Sequence, residues 1–225
     1  MEKRKSSAEM LAMDFLSKSV IKFAKEGNPF QQSSQLFAPL YVYDQEIPSK
    51  MLGLRKLITV KLMSLLTENY GRQLAEDKLT LAAASTGSCP WASFVAQSLN
   101  LPLVVVRSDF KSYGLHNIIE GEVPVGNFVL LIDDVVFTGS NSLRTIKELQ
   151  KEGNAVLGTI AIMDMQIQEA VNDYKKHGLS LNSLFTFSDM MNVAECAGVP
   201  SETIATLEAW HQDPFGWSKR YETEE

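Results

Sequence analysis

Asp133 and Asp134 stand side by side after the apolar run Phe128-Val-Leu-Leu-Ile132, and Val-Val-Phe leads from them into the small, hydroxyl-rich stretch Thr138-Gly139-Ser140-Asn141-Ser142. Two carboxylates before such a loop suit a phosphorylated sugar. The acids can accept hydrogen bonds from ribose hydroxyls, while backbone N–H groups of the loop and of a helix start bind an anion. Gly139 would let the backbone come close to the phosphate. The run before the acids has the length of a strand buried on both faces, and Ser142 through Lys151 shows helical spacing at Leu143, Ile146 and Leu149. A strand, a loop and a helix start are therefore expected here. Taken alone, Asp-Asp at a strand end before Thr-Gly-Ser is also what any parallel α/β domain can use as a turn.

The whole pattern, four apolar residues, two acids, two apolar residues and then Phe137-Thr138-Gly139-Ser140, is more specific. It resembles the phosphoribosyl-pyrophosphate (PRPP) signature of type I phosphoribosyltransferases. Other segments are similar to the orotate branch of that family. Leu101-Pro-Leu-Val-Val-Val-Arg107-Ser-Asp109-Phe-Lys111-Ser-Tyr113-Gly114, followed by Ile119-Glu120-Gly121, resembles its strand, mobile catalytic loop and return strand. Ala83-Ala-Ser-Thr86-Gly87-Ser-Cys-Pro90 falls where the family has its pyrophosphate loop. Pro29-Phe30-Gln-Gln-Ser33-Ser34 and Pro39-Leu40-Tyr41 resemble the hood that faces the base, and Ala205 to Trp217 is similar to the tail of some bacterial members.

The resemblance implies transfer of the 5-phosphoribosyl group from PRPP to a nitrogen of orotate, giving orotidine 5'-monophosphate and pyrophosphate. Mg²⁺ would bridge pyrophosphate and ribose oxygens, with no ligand set from the protein itself. Such a site must spread the charge growing on pyrophosphate while the ribose becomes oxocarbenium-like. By resemblance, Lys111 and Asp134 are catalytic. PRPP is bound by Asp133, Asp134, Thr138, Gly139, Ser140, Asn141, Ser142, Thr86, Gly87, Arg107 and Lys111, and the base meets backbone near Leu40 and Tyr41. In the family the lysine loop serves the neighbouring subunit's site, which implies a homodimer. The alternative for Lys111 is a solvated loop lysine, and Arg107 could bind pyrophosphate or pair with Asp109.

Several positions depart from the family pattern. Tyr113 stands where a histidine is usual, His116 where the second glycine of His-Gly-x-Gly is usual, and Gln35 in place of the hood glycine. Many orotate enzymes carry an Asp-Arg pair whose arginine meets the substrate carboxylate; here the pair reads Asp164-Met165. Either backbone N–H groups near Leu40 and Tyr41 bind that carboxylate, or the base is another one. A PRPP- or nucleotide-binding regulator on the same fold is a further reading, because binding and catalysis share the motif.

The elements that must position these residues alternate along the chain. Ser6-Ser-Ala-Glu9 is a capping box opening a helix with Met10, Met13, Leu16, Val20 and Phe23 on related faces, ending near Gly27 and Pro29. A second helix is expected from about Lys50 to Tyr70, stopping at Gly71. Strands at Leu79 to Ala84, Leu103 to Arg107, Phe128 to Ile132 and Ala155 to Met163 then alternate with helices. This predicts an α/β fold with a central, mostly parallel sheet flanked by helices, the type I phosphoribosyltransferase fold, and a small N-terminal hood. The expected division is 1–50 for the N-terminal helix and hood, and 51–225 for the core with a C-terminal helix. His177 suits a helix C-terminus, and Trp210, His211 and Trp217 read as packing residues.

Composition agrees with an enzyme of ordinary globular type. At 225 residues, 45% hydrophobic and 21% charged, the chain can bury one sizeable α/β core. A net charge of −6 argues against nucleic acid as a partner. No stretch approaches the ~20 apolar residues that span a bilayer, and the Met-Glu-Lys-Arg-Lys start leads into no secretory core, so a cytoplasmic location is expected. Cys89 and Cys196 lie far apart and are expected as free thiols.

Overall fold

In the computed structural model, residues 5–25, 27–32, 36–84, 86–107 and 118–221 are described. The elements in chain order are α1 (Ser7–Ser17), β1 (Ile21–Phe23), β2 (Phe30–Gln31), β3 (Phe37–Ala38), β4 (Leu40–Val42), a 3-10 turn (Asp44–Glu46), α2 (Ile47–Lys50) and α3 (Leu52–Ala75). They continue with β5 (Leu79–Ala84), α4 (Cys89–Leu99), β6 (Leu103–Val106), β7 (Ile119–Glu120), β8 (Phe128–Val136) and α5 (Ser140–Lys151). The last are β9 (Ala155–Asp164), α6 (Gln168–Lys176), β10 (Ser180–Thr186), α7 (Phe187–Ala194), α8 (Ser201–Gln212) and α9 (Pro214–Ser218).

These elements form two compact units, Ile47–Leu184 and the pair of segments Met1–Glu46 and Phe185–Glu225. The C-terminal helices fall in the same unit as the N-terminal segment.

The unit 47–184 is built on the six-stranded sheet β10-β9-β8-β5-β6-β7. β5 pairs in parallel with both β6 and β8, β8 pairs in parallel with β9, and β7 runs antiparallel to β6. The α/β expectation with a mostly parallel, helix-flanked sheet is thus met. Leu130, Leu131 and Ile132 are fully buried because helices cover both faces of β8, which is why the run is continuously apolar. Val129 and Leu131 pack with Leu143, Ile146 and Leu149 of α5 and with Tyr174 of α6. The alternate residues Leu130 and Ile132 face the other way, where α4 touches β5 and β8 and α3 touches β9.

Several element ends differ from expectation. β8 does not stop at Ile132 but carries both acids, because β9 continues beside it to Asp164 and the ladder runs on through Val136. α3 passes Gly71 and ends at Ala75, with non-helical φ −129° and ψ 22° at Tyr70, whose hydroxyl is 2.5 Å from Ser180 Oγ. The break at Tyr70 falls beside Gly71, where the sequence places the helix end, and a further helical stretch follows it to Ala75.

In the unit formed by 1–46 and 185–225, the Ser6–Glu9 capping box opens α1 as expected, with Glu9 N–H donating to Ser6 Oγ at 3.0 Å. The helix ends far earlier than Gly27. Ser19 takes φ 54°, the chain turns, and Ile21–Phe23 pairs with Leu40–Val42. The buried face is therefore Leu11, Ala12, Phe15 and Leu16, while Met10 is 55% exposed. Phe15 meets Phe185 edge to face at 4.9 Å. The C-terminal helix is two helices, since Asp213 leaves helical geometry and its carboxylate caps α9 at Gly216 N–H, 2.9 Å. Trp210 is buried, donating to Phe37 O at 2.9 Å, and His211 stacks on Phe187 with centroids 4.1 Å apart. Trp217 is buried as well, so all three are packing residues as read.

Candidate active site

The candidate residues gather at the carboxyl ends of β5, β6 and β8, the edge where open parallel sheets take ligands. Strand alternation sends the two adjacent acids to opposite faces. Asp133 continues the face of Val129 and Leu131 under α5. Its Oδ2 accepts a 2.5 Å hydrogen bond from Ser142 Oγ and its Oδ1 accepts the Asp134 N–H at 3.0 Å. Asp133 is 6% exposed and Ser142 2%. Burial, and then the neighbouring Asp134 carboxylate, hold the Asp133 carboxyl well above the usual carboxylate range, while the Ser142 hydrogen bond pulls it back.

Asp134 lies on the other face, beside the loop that follows β5. A Cβ on Gly87 would run into its carboxylate, so only glycine lets Thr86-Gly87 lie that close. Asp134 Oδ1 accepts the Val135 N–H at 3.0 Å. The loop is pinned from behind by Ser88, 1% exposed, whose hydroxyl donates to Ala84 O at 2.9 Å and accepts the Ala84 N–H at 3.0 Å. Cys89, next in line, has its thiol pushed up by burial and by Asp134, which disfavours a reactive thiolate. Both cysteines are free thiols, as expected.

The segment after β8 turns through Gly139, the cap residue of α5, at φ 74° and ψ −3°. The left-handed φ alone favours glycine, and an added Cβ would also meet Tyr174 Cε2 at 3.2 Å and Ala170 Cβ at 3.4 Å. The glycine is thus fixed by packing against α6, a reason the sequence did not reveal. Thr138 Oγ1 and Ser140 Oγ are 2.9 Å apart, and α5 starts without a side-chain cap, which leaves a helix N-terminus suited to an anion. Thr145 Oγ1 donates to the Asn141 carbonyl at 3.0 Å.

Arg107 directly follows β6, and its guanidinium is 3.3 Å from Glu120 Oε1, so its partner here is the acid of β7. Lys111, with Asp109, Tyr113 and His116, lies outside the described residues, as do Ser33, Ser34 and Gln35 of the hood. Leu40 and Tyr41 belong to the other compact unit. There Leu40 is fully buried, its carbonyl accepting from Gln32 Nε2 at 3.3 Å, and the Tyr41 ring stands between Phe30 at 5.6 Å and Tyr43 at 6.3 Å. Met165 is fully buried and offers no polar group to a ligand. His177 caps the C-terminus of α6, its Nδ1 2.8 Å from Asp173 O, in keeping with the dipole reading.

Ser88, Tyr174 and Thr159 escaped the sequence reading. Tyr174 reaches the site from α6, with its hydroxyl 2.7 Å from Thr159 Oγ1 of β9 and its ring against Gly139. A serine after Thr-Gly could have signalled the loop pin; nothing local marks a tyrosine in the next crossover helix. Among the described residues, no group of three or more His, Cys, Asp or Glu side chains is arranged to hold a metal.

Comparison with known proteins bears on the whole chain. The family described as Phosphoribosyl transferase domain matches residues 57–194. An orotate phosphoribosyltransferase of Bacteroides thetaiotaomicron is 31% identical over 95% of this chain and 98% of its own length. One of Levilactobacillus brevis is 32% identical over 93% of this chain and 97% of its own. Among solved structures, the orotate phosphoribosyltransferase of Aeropyrum pernix superposes with a TM-score of 0.65 at 27% identity, covering 85% of this chain and 99% of that one. The UMP synthase of Leishmania donovani matches in fold with a TM-score of 0.76 at 20% identity, over 92% of this chain and 42% of that longer one.

Proposed function

Because this chain belongs to the phosphoribosyl transferase domain family, we propose that it transfers the 5-phosphoribosyl group of PRPP to orotate, releasing pyrophosphate. The observation that carries this reading is the meeting of two loops at one acid: Asp134 stands at the end of β8 and against Gly87 of the loop after β5. Ribose hydroxyls would donate to Asp133 and Asp134. The 5'-phosphate would sit on Thr138–Asn141 and the uncapped start of α5, where N–H groups accept an anion without reorganising. Pyrophosphate would lie along Thr86-Gly87, met by Arg107 and by Lys111.

In the reaction the bond from C1 of the ribose to the pyrophosphate oxygen breaks, and a bond from C1 to the orotate nitrogen forms as that nitrogen gives up its proton to the departing pyrophosphate or to water. Asp134 stabilises the electron-poor sugar carbon, and the two cations take up charge on the leaving group. Each ~1.4 kcal/mol of stabilisation confined to the transition state is worth tenfold in rate. Mg²⁺ would supply further charge neutralisation on the diphosphate. Such an ion would be held mainly by substrate oxygens and water, the habit of Mg²⁺ with phosphates. The base would be met by backbone near Leu40 and Tyr41. A homodimer, in which the Lys111 loop completes the neighbouring site, and a cytoplasmic location belong to the same reading; no described helix is long and apolar enough to cross a membrane.

Met165 favours a second reading, transfer to a different base, since a buried thioether offers nothing to the orotate carboxylate. The test is pyrophosphate release from PRPP and Mg²⁺ with and without orotate, for wild type, Asp133→Asn/Asp134→Asn and Lys111→Ala. Orotate-dependent release that both variants abolish supports the proposal. Release with another base alone would assign the second reading, and PRPP binding without release for any base would leave a regulator.

A further inference from the structure

The turn after β8 leans on a side chain from outside the PRPP signature, the Tyr174 ring of α6. We propose that Tyr174 is a positioning residue for the 5'-phosphate of PRPP: its hydroxyl is pinned to Thr159 of β9, and its ring is the seat on which Gly139 and the start of α5 rest. The inference rests on the reading of residues 138–141 as the 5'-phosphate loop.

Backbone N–H groups hold a phosphate only when they converge on one place, so the shape of the turn matters as much as its side chains. Here the turn passes through Gly139 at φ 74°, and the Gly139 carbonyl accepts the Leu143 N–H at 2.8 Å, the bond that opens α5. A shift of Gly139 therefore moves the loop and the helix start together. Beneath it stands α6, since a Cβ added at Gly139 would meet Tyr174 Cε2 at 3.2 Å and Ala170 Cβ at 3.4 Å. Tyr174 also packs with Leu143 and Ile146 of α5, so one side chain supports both halves of the anion site.

The seat is itself held in place. The Tyr174 hydroxyl is 2.7 Å from Thr159 Oγ1, with Thr159 0% and Tyr174 2% exposed, so turning the ring away would leave two buried hydroxyls without their partner. Phenylalanine would fill the same space; what the hydroxyl adds is a fixed place for the ring. The end of β9 sets the position of α6 in turn. Met165 N–H donates to Val136 O at 2.9 Å, and Asp164 Oδ1 accepts the Gln166 N–H at 2.8 Å, with Gln166 at φ 56° as the chain turns towards α6. A left-handed φ is costly for a residue other than glycine, and here it falls in the connection that brings Tyr174 under the loop.

The experiment is calorimetric binding to the full chain of ribose 5-phosphate, and then of pyrophosphate with Mg²⁺ to protein saturated with ribose 5-phosphate. The proteins are wild type, Tyr174→Leu, Tyr174→Phe, Thr159→Val and the last two combined. Tyr174→Leu should weaken ribose 5-phosphate about tenfold, because the loop loses its seat. Tyr174→Phe and Thr159→Val should each cost about threefold, and the pair no more than either alone, since both remove the same bond. Pyrophosphate should change by less than about twofold throughout, because Gly87 stands against Asp134 on the other face of β8. In turnover this reads as a raised KM for PRPP with kcat nearly kept. Equal losses for both ligands would show that Tyr174 only holds the fold together, and an unchanged ribose 5-phosphate affinity in the single variants would show that the loop needs no seat; either overturns the proposal. If Tyr174→Leu unfolds, the hydroxyl variants carry the same test. The expected losses in a protein that transfers nothing to orotate would uphold the role of Tyr174 and sink the substrate assignment, whereas a wild type that does not bind ribose 5-phosphate would sink the reading of residues 138–141 and the proposal with it.

Discussion

The two faces of β8 treat its adjacent acids in opposite ways. On the α5 face, Asp133 is buried, bonded to Ser142 and costly to ionise. On the α4 face, Asp134 meets the glycine of a neighbouring loop, and its Oδ1 accepts the Val135 N–H. Residue type and adjacency are identical, so the difference comes from what the sheet sets against each face. One acid is built into the frame of the site, and the other is held at its working surface. The pair is thus less a symmetric clamp than a support and a tool.

Substitutions can break this contrast. The largest effect is expected from Asp134→Asn, which should cost about a thousandfold in kcat/KM for phosphoribosyl transfer while leaving the melting temperature nearly unchanged. Pyrophosphate release and calorimetry on the same preparation check both halves. Gly87→Ala should follow, about tenfold in kcat/KM, because its Cβ displaces the Asp134 carboxylate without touching the core. A crystal structure of that variant would show the carboxylate turned away; an unmoved Asp134 would count against the contact as the cause.

Asp133→Asn should lower transfer too, yet raise stability. A carboxyl whose folded pKa lies above its unfolded value of about 3.9 binds its proton more tightly when folded. Its ionisation therefore erodes stability as pH rises from about 4 through the raised folded value. The neutral amide avoids that loss, so the variant should melt higher than wild type at pH 7, with the gain shrinking towards pH 4. A melting temperature below wild type at pH 7 would show that Asp133 is ionised at no cost and that the two faces do not differ as described. The smallest effect belongs to Glu120→Ala. Its ion pair with Arg107 is surface-exposed, so stability should change by less than about 0.5 kcal/mol, while KM for PRPP falls if Arg107 is released to the pyrophosphate.

Much of this was legible in the chain. Largely apolar runs announced β5 and β8, whose starts fall where expected, because a strand covered on both faces is mostly apolar. The α5 stripe of Leu143, Ile146 and Leu149 was equally plain. Boundaries set by partners were not. β8 outlasts its apolar run because β9 accompanies it, and α1 stops early because Ser19 turns the chain into a pairing with β4. Local sequence holds no record of those partners.

For the site, the sequence by itself determined the chemistry on offer: two acids, a hydroxyl-rich turn with a required glycine, and the order of strand, loop and helix that makes an anion site. These are properties of neighbours along the chain, and periodicity and side-chain type suffice to read them. Only the tertiary structure decided which acid is buried and which faces the second loop, that Ser142 serves Asp133, that Tyr174 and Ala170 are the reason for Gly139, and that Ser88 pins Thr86-Gly87. Each of those depends on a contact between segments brought together by parallel pairing and crossover helices, and burial, which sets the cost of a charge, exists only once those segments have met.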